Sequence, residues 1–180
     1  MSRLKFLDET ALKTNMVRRH GRAKRGQRVV DHTAFGHWKT TTFICALTDQ
    51  GLEAEMVVDG PMNGPAFLAY VQQILVPTLR TGDIVIMDNL PCHKSAAVIE
   101  AIESAGASVN YLPPYSPDLN PIENVYSKMK SIFRAAAERT VEGLWNLAGR
   151  MFQYFSPTEC RRYFRHCGYR GDSIASVTLT

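Results

Sequence analysis

Apolar positions in the first half of the chain fall into short runs and alternations, whereas in the second half they recur every three to four residues. Leu4 to Leu7 is a short apolar run that predicts a first strand ending on Asp8. Trp38 to Thr48, with β-branched and aromatic content, predicts a second, and Asp49-Gln50-Gly51 the turn after it. Leu52, Ala54, Met56 and Val58 alternate with Glu53, Glu55 and Val57, the period of a third strand that completes an antiparallel meander. Asn63-Gly64-Pro65 then opens a helix whose stripe, Phe67, Val71, Ile74 and Leu75, stops at Pro77. Ile84 to Met87 reads as a strand buried on both faces, and Asp88 is the first polar residue past its end. Val98, Ala101, Ile102 and Ala105 mark the next helix, closed by Gly106, and Ser108 to Leu112 a fifth strand.

A proline-punctuated loop, residues 113–117, delivers the chain to Asn120 and Pro121 at the start of the clearest helix, which carries Ile122, Val125, Met129, Ile132, Phe133 and Ala136 on one face. Glu123 lies three residues after Asn120, the reciprocal position of a capping box. Thr140 opens another helix, striped by Val141, Leu144, Trp145, Ala148, Met151, Phe152 and Phe155. Ser156-Pro157-Thr158-Glu159 caps a last one that ends at Gly168, before a polar tail beyond Arg170.

Three strands, helix, strand, helix, strand and then helices is the order of an α/β protein with the ribonuclease H-like fold, a mixed five-stranded sheet flanked by helices. In that fold the first and fourth strands are parallel neighbours, so Asp8 and Asp88 are expected to emerge side by side, where open α/β sheets place ligands. A chain of 180 residues suits one domain, expected over 1–170 with 171–180 as tail.

Composition narrows the field. With 45% hydrophobic and 21% charged residues, and no apolar run near the length of a bilayer span, the sequence predicts a soluble protein without a membrane partner. Acidic residues come before any signal-peptide-like stretch, which predicts a cytoplasmic address. Cys45, Cys92, Cys160 and Cys167 lack CxxC or zinc-finger spacing and predict reduced thiols. The net charge of +4 is unevenly spread: residues 1–40 hold ten Lys or Arg against three acids, and residues 41–110 hold two against eight. Lys13, Arg18, Arg19, Arg22, Lys24, Arg25 and Arg28 form a run free of acids, either a solvated loop or a phosphate-binding flank.

Asp8, Asp88 and Glu123 are the candidate chemistry, the last two separated by 34 residues. Converging carboxylates hold Mg²⁺ against a phosphate, and two such ions about 3.5 to 4 Å apart support phosphoryl transfer. Asp8 would bridge the pair, with Asp88 and Glu123 each holding one. The plainer readings are an Asp-Asn turn for Asp88, a helix cap for Asp8 and a capping-box acid for Glu123. Ser127, Lys130 and Arg134 share the helical face of Glu123, a ridge suited to a phosphate backbone or to solvent. His93 and Lys94 lie just past Asp88 and are candidate phosphate contacts. Trp38 and Tyr115 are candidate base-stacking residues, or simply packing.

These segments resemble a known family. FLDET, TNMVRRHGRAKRGQR, HWKTTTFICAL, VVDGPMNGPAF, VPTLRTGDIVIMDNLPCHK and YLPPYSPDLNPIENVYSKMK are together similar to the catalytic domain of DDE transposases of the bacterial insertion-sequence family called IS-six-thirty, in the mariner superfamily. The resemblance carries the catalytic triad onto Asp8, Asp88 and Glu123. It implies Mg²⁺- or Mn²⁺-dependent cutting of double-stranded DNA at element ends, with strand transfer into target DNA, commonly at TA, by a homodimer or larger synaptic assembly. Family members usually carry an N-terminal helix-turn-helix, which these residues do not include; the resemblance therefore implies a second reading frame joined by frameshifting, a truncated remnant, or a separate polypeptide that supplies the reader. A module that keeps the fold for DNA binding or assembly without cutting, and a cellular nuclease of the same fold, are the alternatives the residues leave open.

Overall fold

The structure is a computed structural model that describes residues 3–32 and 35–170; the expected tail lies outside them. Five strands form one mixed sheet in the order β3-β2-β1-β4-β5. They are β1 (Leu4–Lys13), β2 (Thr40–Thr48), β3 (Gly51–Asp59), β4 (Ile84–Met87) and β5 (Ser108–Tyr111). β1 pairs antiparallel with β2, and β2 with β3, whereas β4 runs parallel to both β1 and β5. This is the ribonuclease H-like arrangement expected from the order of elements.

Helices cover both faces. α1 (Gly64–Tyr70) starts on an Asn63 cap and continues through a π-helical turn, Val71–Leu75, to the Pro77 stop. With α2 (Ala96–Ser104) it packs Phe67, Val71, Leu75, Val98 and Ile102 against Leu7, Ile44, Ala46, Val85 and Met87. On the other face α3 (Ile122–Ala136), α4 (Val141–Ala148) and α5 (Pro157–His166) cover Leu4, Phe6, Leu12, Phe43, Cys45 and Leu47. Two apolar layers thus clamp the sheet, and deleting one large buried ring, such as Phe6, costs about 3–5 kcal/mol at such positions. Gly106 ends α2 at φ +79, where an added Cβ would crowd Thr81, so the glycine is required there. The four cysteines are free thiols. No helix among the described residues is long and apolar enough to cross a membrane.

The structure departs from the pattern-based expectations at four places. β1 does not stop at Asp8 but runs on to Lys13, because Thr10 and Leu12 continue the alternation and β2 pairs along its whole length. β2 begins at Thr40, leaving Trp38 in the preceding loop. β3 bulges at Ala54, whose φ is +52, so Ala54 and Glu55 both sit opposite Cys45; beyond the bulge the faces exchange, and Leu52 packs on one core while Ala54 and Met56 join the other. Finally, the stripe from Val141 to Phe155 is not one helix. It breaks after Ala148 at Gly149, resumes as a 3₁₀ turn (Met151–Tyr154), and leaves Trp145 and Phe152 exposed.

Candidate active site and basic groove

β1 and β4 are paired Leu4 to Ile84 and Phe6 to Ile86, and the same register carried two residues further sets Asp8 opposite Asp88. β4 has ended by then, so the sheet opens there, and a cavity of about 470 Å³ forms beside β1. Asp8, Asp88, Asn120 and Glu123 line it, with the loop from Leu112 to Pro117 as its rim. Tyr115 stands on that rim fully exposed, with a left-handed backbone at φ +55.

Asp8 is the buried member. Its Oδ1 accepts from the Glu9 N–H at 2.8 Å, its Oδ2 from Asn120 Nδ2 at 3.1 Å, and its main-chain carbonyl from the Tyr126 hydroxyl. Burial pushes its carboxyl up to about 7, and the neighbouring charges of Glu9, Asp88 and Glu123 push the same way against the Glu9 N–H. No cation of the described residues is paired with it.

Asp88 is treated differently. Burial raises its carboxyl, but contact with His93 and the Leu90 N–H, at 3.1 Å, outweighs this and leaves it below the usual range. His93 is fully buried and placed between two acids: Nε2 lies 3.1 Å from Glu9 Oε2, and Nδ1 lies 2.7 Å from Asp88 Oδ1, an ion-pair contact off the line of a good hydrogen bond. Its ring packs on Phe67, centroids 4.4 Å apart. Burial alone would lower its pKa; the contacts with Asp88 and Glu9 overcome that and lift it to about 10, so it is an imidazolium at neutral pH. The expectation that His93 contacts substrate phosphate is therefore corrected. The 3₁₀ turn Pro91–Lys94 tucks the ring under the sheet end, and carboxylates take both nitrogens.

A second concavity, about 720 Å³, adjoins this one and shares Glu123 with it. Lys13, Arg19, Ser127, Lys130 and Arg134 line it, so the ridge expected on α3 faces a groove, and one arginine of the basic run comes to its opposite wall. Partial burial and the nearby charge of Arg19 lower the pKa of Arg134. Arg18, Arg22, Lys24, Arg25 and Arg28 are exposed on the loop from 14 to 39 and are not among the residues lining either concavity. Lys94 is exposed with its ammonium 5.4 Å from the Tyr111 ring centroid, and Trp38 is exposed with Lys13 5.9 Å from its ring.

A family model described as DDE superfamily endonuclease matches residues 3–144. The chain belongs to this family. Among solved structures, the Mos1 strand transfer complex superposes at a TM-score of 0.71 with 19% identity, covering 92% of this chain and 50% of that one. The mariner Mos1 paired-end complex with Mg gives 0.72 and 19%, covering 92% and 53%. The catalytic domain of Mos1 mariner transposase gives 0.61 and 17%, covering 92% and 76%. The chain thus spans about half the length of the Mos1 chains in those complexes. No curated protein matches it.

Within this DDE superfamily chain, three site residues escaped the sequence pattern. Asn120 reads as a helix cap, yet the residue before a proline is pushed to extended backbone, here φ −104 and ψ 97, which leaves it one place ahead of the cap position. Its side chain is buried on Asp8 instead, and its Oδ1 has no partner among the described residues. The absent cap forgoes about 1 kcal/mol and the orphan acceptor costs about 1–3 kcal/mol. Glu9 and Tyr126 were hidden because strand alternation and helical stripe say which face a residue takes, not which partner it meets there.

The raised carboxyl of Asp8 has a thermodynamic consequence. Between about 4 and about 7 the folded state binds a proton on Asp8 that the unfolded state has released, so stability falls as pH rises through that window. Glu55, also lifted to about 7 by burial, adds to the same slope. In chelator, Tm is expected to fall from pH 4 to pH 7 more steeply for the wild type than for Asp8→Asn, measured by differential scanning fluorimetry. Equal slopes would show that Asp8 is not held in its protonated form.

Proposed function

We propose that this chain is the catalytic domain of a transposase of the IS-six-thirty type in the mariner superfamily. It acts with Mg²⁺ or Mn²⁺ on double-stranded DNA, cutting at element ends and joining the freed 3′-hydroxyl to target DNA. The observation that carries the reading is the shared wall at Glu123, with a cavity holding the three carboxylates on one side and a basic groove on the other. A phosphate backbone lying along Lys130 and Arg134 would be delivered to Asp8 and Asp88.

The donor set fits a hard cation. Asp8, Asp88 and Glu123 offer oxygen only, and Asp8 is a buried acid with no cation beside it. Among the described residues, the donors that all lie within 4.8 Å of one another are those of Glu9, Cys92 and His93, not the three carboxylates. When bound, such ions polarise the phosphodiester and lower the pKa of an attacking hydroxyl. Asp8, the buried member, would be shared by the two ions, with Asp88 and Glu123 each holding one. Arg19, Lys130 and Arg134 neutralise and orient the phosphates, and Tyr115, exposed on the rim, is placed to stack on an unpaired base. Two element ends held together require a second copy of the chain, and a helix-turn-helix polypeptide is the proposed reader of the inverted repeats.

The test is nicking of supercoiled DNA by the purified chain in Mg²⁺, abolished by chelation. Its absence would favour an assembly module that binds DNA without cutting. Independently, the double variant Lys130→Gln, Arg134→Gln is expected to weaken DNA binding and reduce the slope of log Kd against log salt by about 2, one for each phosphate no longer neutralised. An unchanged slope in fluorescence anisotropy would remove the groove from the DNA path.

A further inference from the structure

We infer that Asn120 is a positioning residue, the tie that fixes the Glu123-bearing helix to Asp8 and so sets the spacing of the carboxylates before any cation arrives. This rests on the metal-dependent reading of the site. Asp8 belongs to the sheet and Glu123 to α3, and nothing in strand pairing fixes one against the other. Asn120 bridges them. It stands three residues before Glu123, is 5% exposed, and donates from Nδ2 to Asp8 Oδ2 at 3.1 Å.

The same side chain makes no cap bond to its own helix, although asparagine is among the residues best suited to one. Its Oδ1 is buried without a partner in a wall of the cavity. Ionised, as a cation ligand is, Asp8 only accepts, so Nδ2 is the atom that faces it. Tyr126, donating to the Asp8 carbonyl from further along the same helix, braces the backbone while Asn120 sets the carboxylate.

The experiment measures Mn²⁺ binding to the purified chain by electron paramagnetic resonance of the free ion, alongside Tm in chelator. Asn120→Ala and Asn120→Ser are compared with wild type; serine is chosen because it keeps a polar group at this buried position but is too short to reach Asp8 Oδ2. The Mn²⁺ Kd is expected to rise about 10- to 100-fold in both variants, the range for loss of a residue that orients a metal ligand. Tm in chelator is expected to stay near wild type for Asn120→Ser. If the serine variant binds Mn²⁺ as tightly as wild type, the positioning role is overturned while the site reading stands. If Tm and affinity fall together in both variants, Asn120 is only a packing residue. If wild type itself fails to bind Mn²⁺, the metal reading falls and this inference with it.

Discussion

Asp88→Asn is expected to lower Mg²⁺-dependent nicking by about 10³-fold, a loss of about 4 kcal/mol in transition-state stabilisation. The substitution keeps the shape of the side chain and its place at the end of β4; it removes the charge that a cation requires and one of the two carboxylates paired with His93. Asp8→Asn and Glu123→Gln should fall at least as far, because the three line one cavity and act as a unit. DNA binding should persist in all three, since the groove cations are untouched, and the comparison is therefore made at saturating DNA in a plasmid-nicking assay. Nicking by Asp88→Asn at the wild-type rate would eliminate the proposed metal role.

His93→Ala should carry the largest stability cost of any single change near the site. The imidazolium is fully buried between Glu9 and Asp88, and its removal strands two carboxylates while opening a void against Phe67. Breaking a buried pair by deleting one partner costs about 3–5 kcal/mol, and the low end applies here because the Asp88 side chain is 38% exposed and water relieves part of the loss. His93→Gln, which keeps one donor, should lose less. The sign in pH follows from a pKa raised above that of the unfolded chain. The contribution of His93 is complete below about 6.5 and disappears as pH climbs through about 10. Urea titrations at pH 6 and pH 10 should therefore show the wild type and His93→Ala converging at the higher pH; a gap that stays constant would mean that packing, not charge, holds the ring.

The parts of this molecule legible in its sequence are those fixed by periodicity and by local chemistry. Ile84 to Met87 reads as a strand from apolar continuity alone, and the α3 stripe reads from its spacing, because each follows from how a backbone repeats. The carboxylates were legible as a set because acids at the ends of apolar runs are few. Pairing across the sheet was not. That β1 runs past Asp8 depends on β2 reaching alongside it, and the exchange of faces in β3 depends on one left-handed residue, Ala54. His93 illustrates the limit most plainly. A histidine beside a lysine, just past a strand end, has the makings of a phosphate contact; only the fold brings Glu9, on the opposite face of β1 from Asp8, against its other nitrogen.

The excursion from 14 to 39 leaves β1 and rejoins β2 where Lys13 and Thr40 sit side by side as paired residues. Both its ends are therefore anchored at one spot on the scaffold, and its first turn is tied further by Arg139, which donates to the Thr14 and Met16 carbonyls. Grafting a two-residue turn in its place would leave the sheet and the carboxylate pocket whole while stripping away the arginine-rich flank. Under the proposed function, the excursion's share of the DNA contact is thereby separable from the carboxylates, while Lys130 and Arg134 on α3 stay in place.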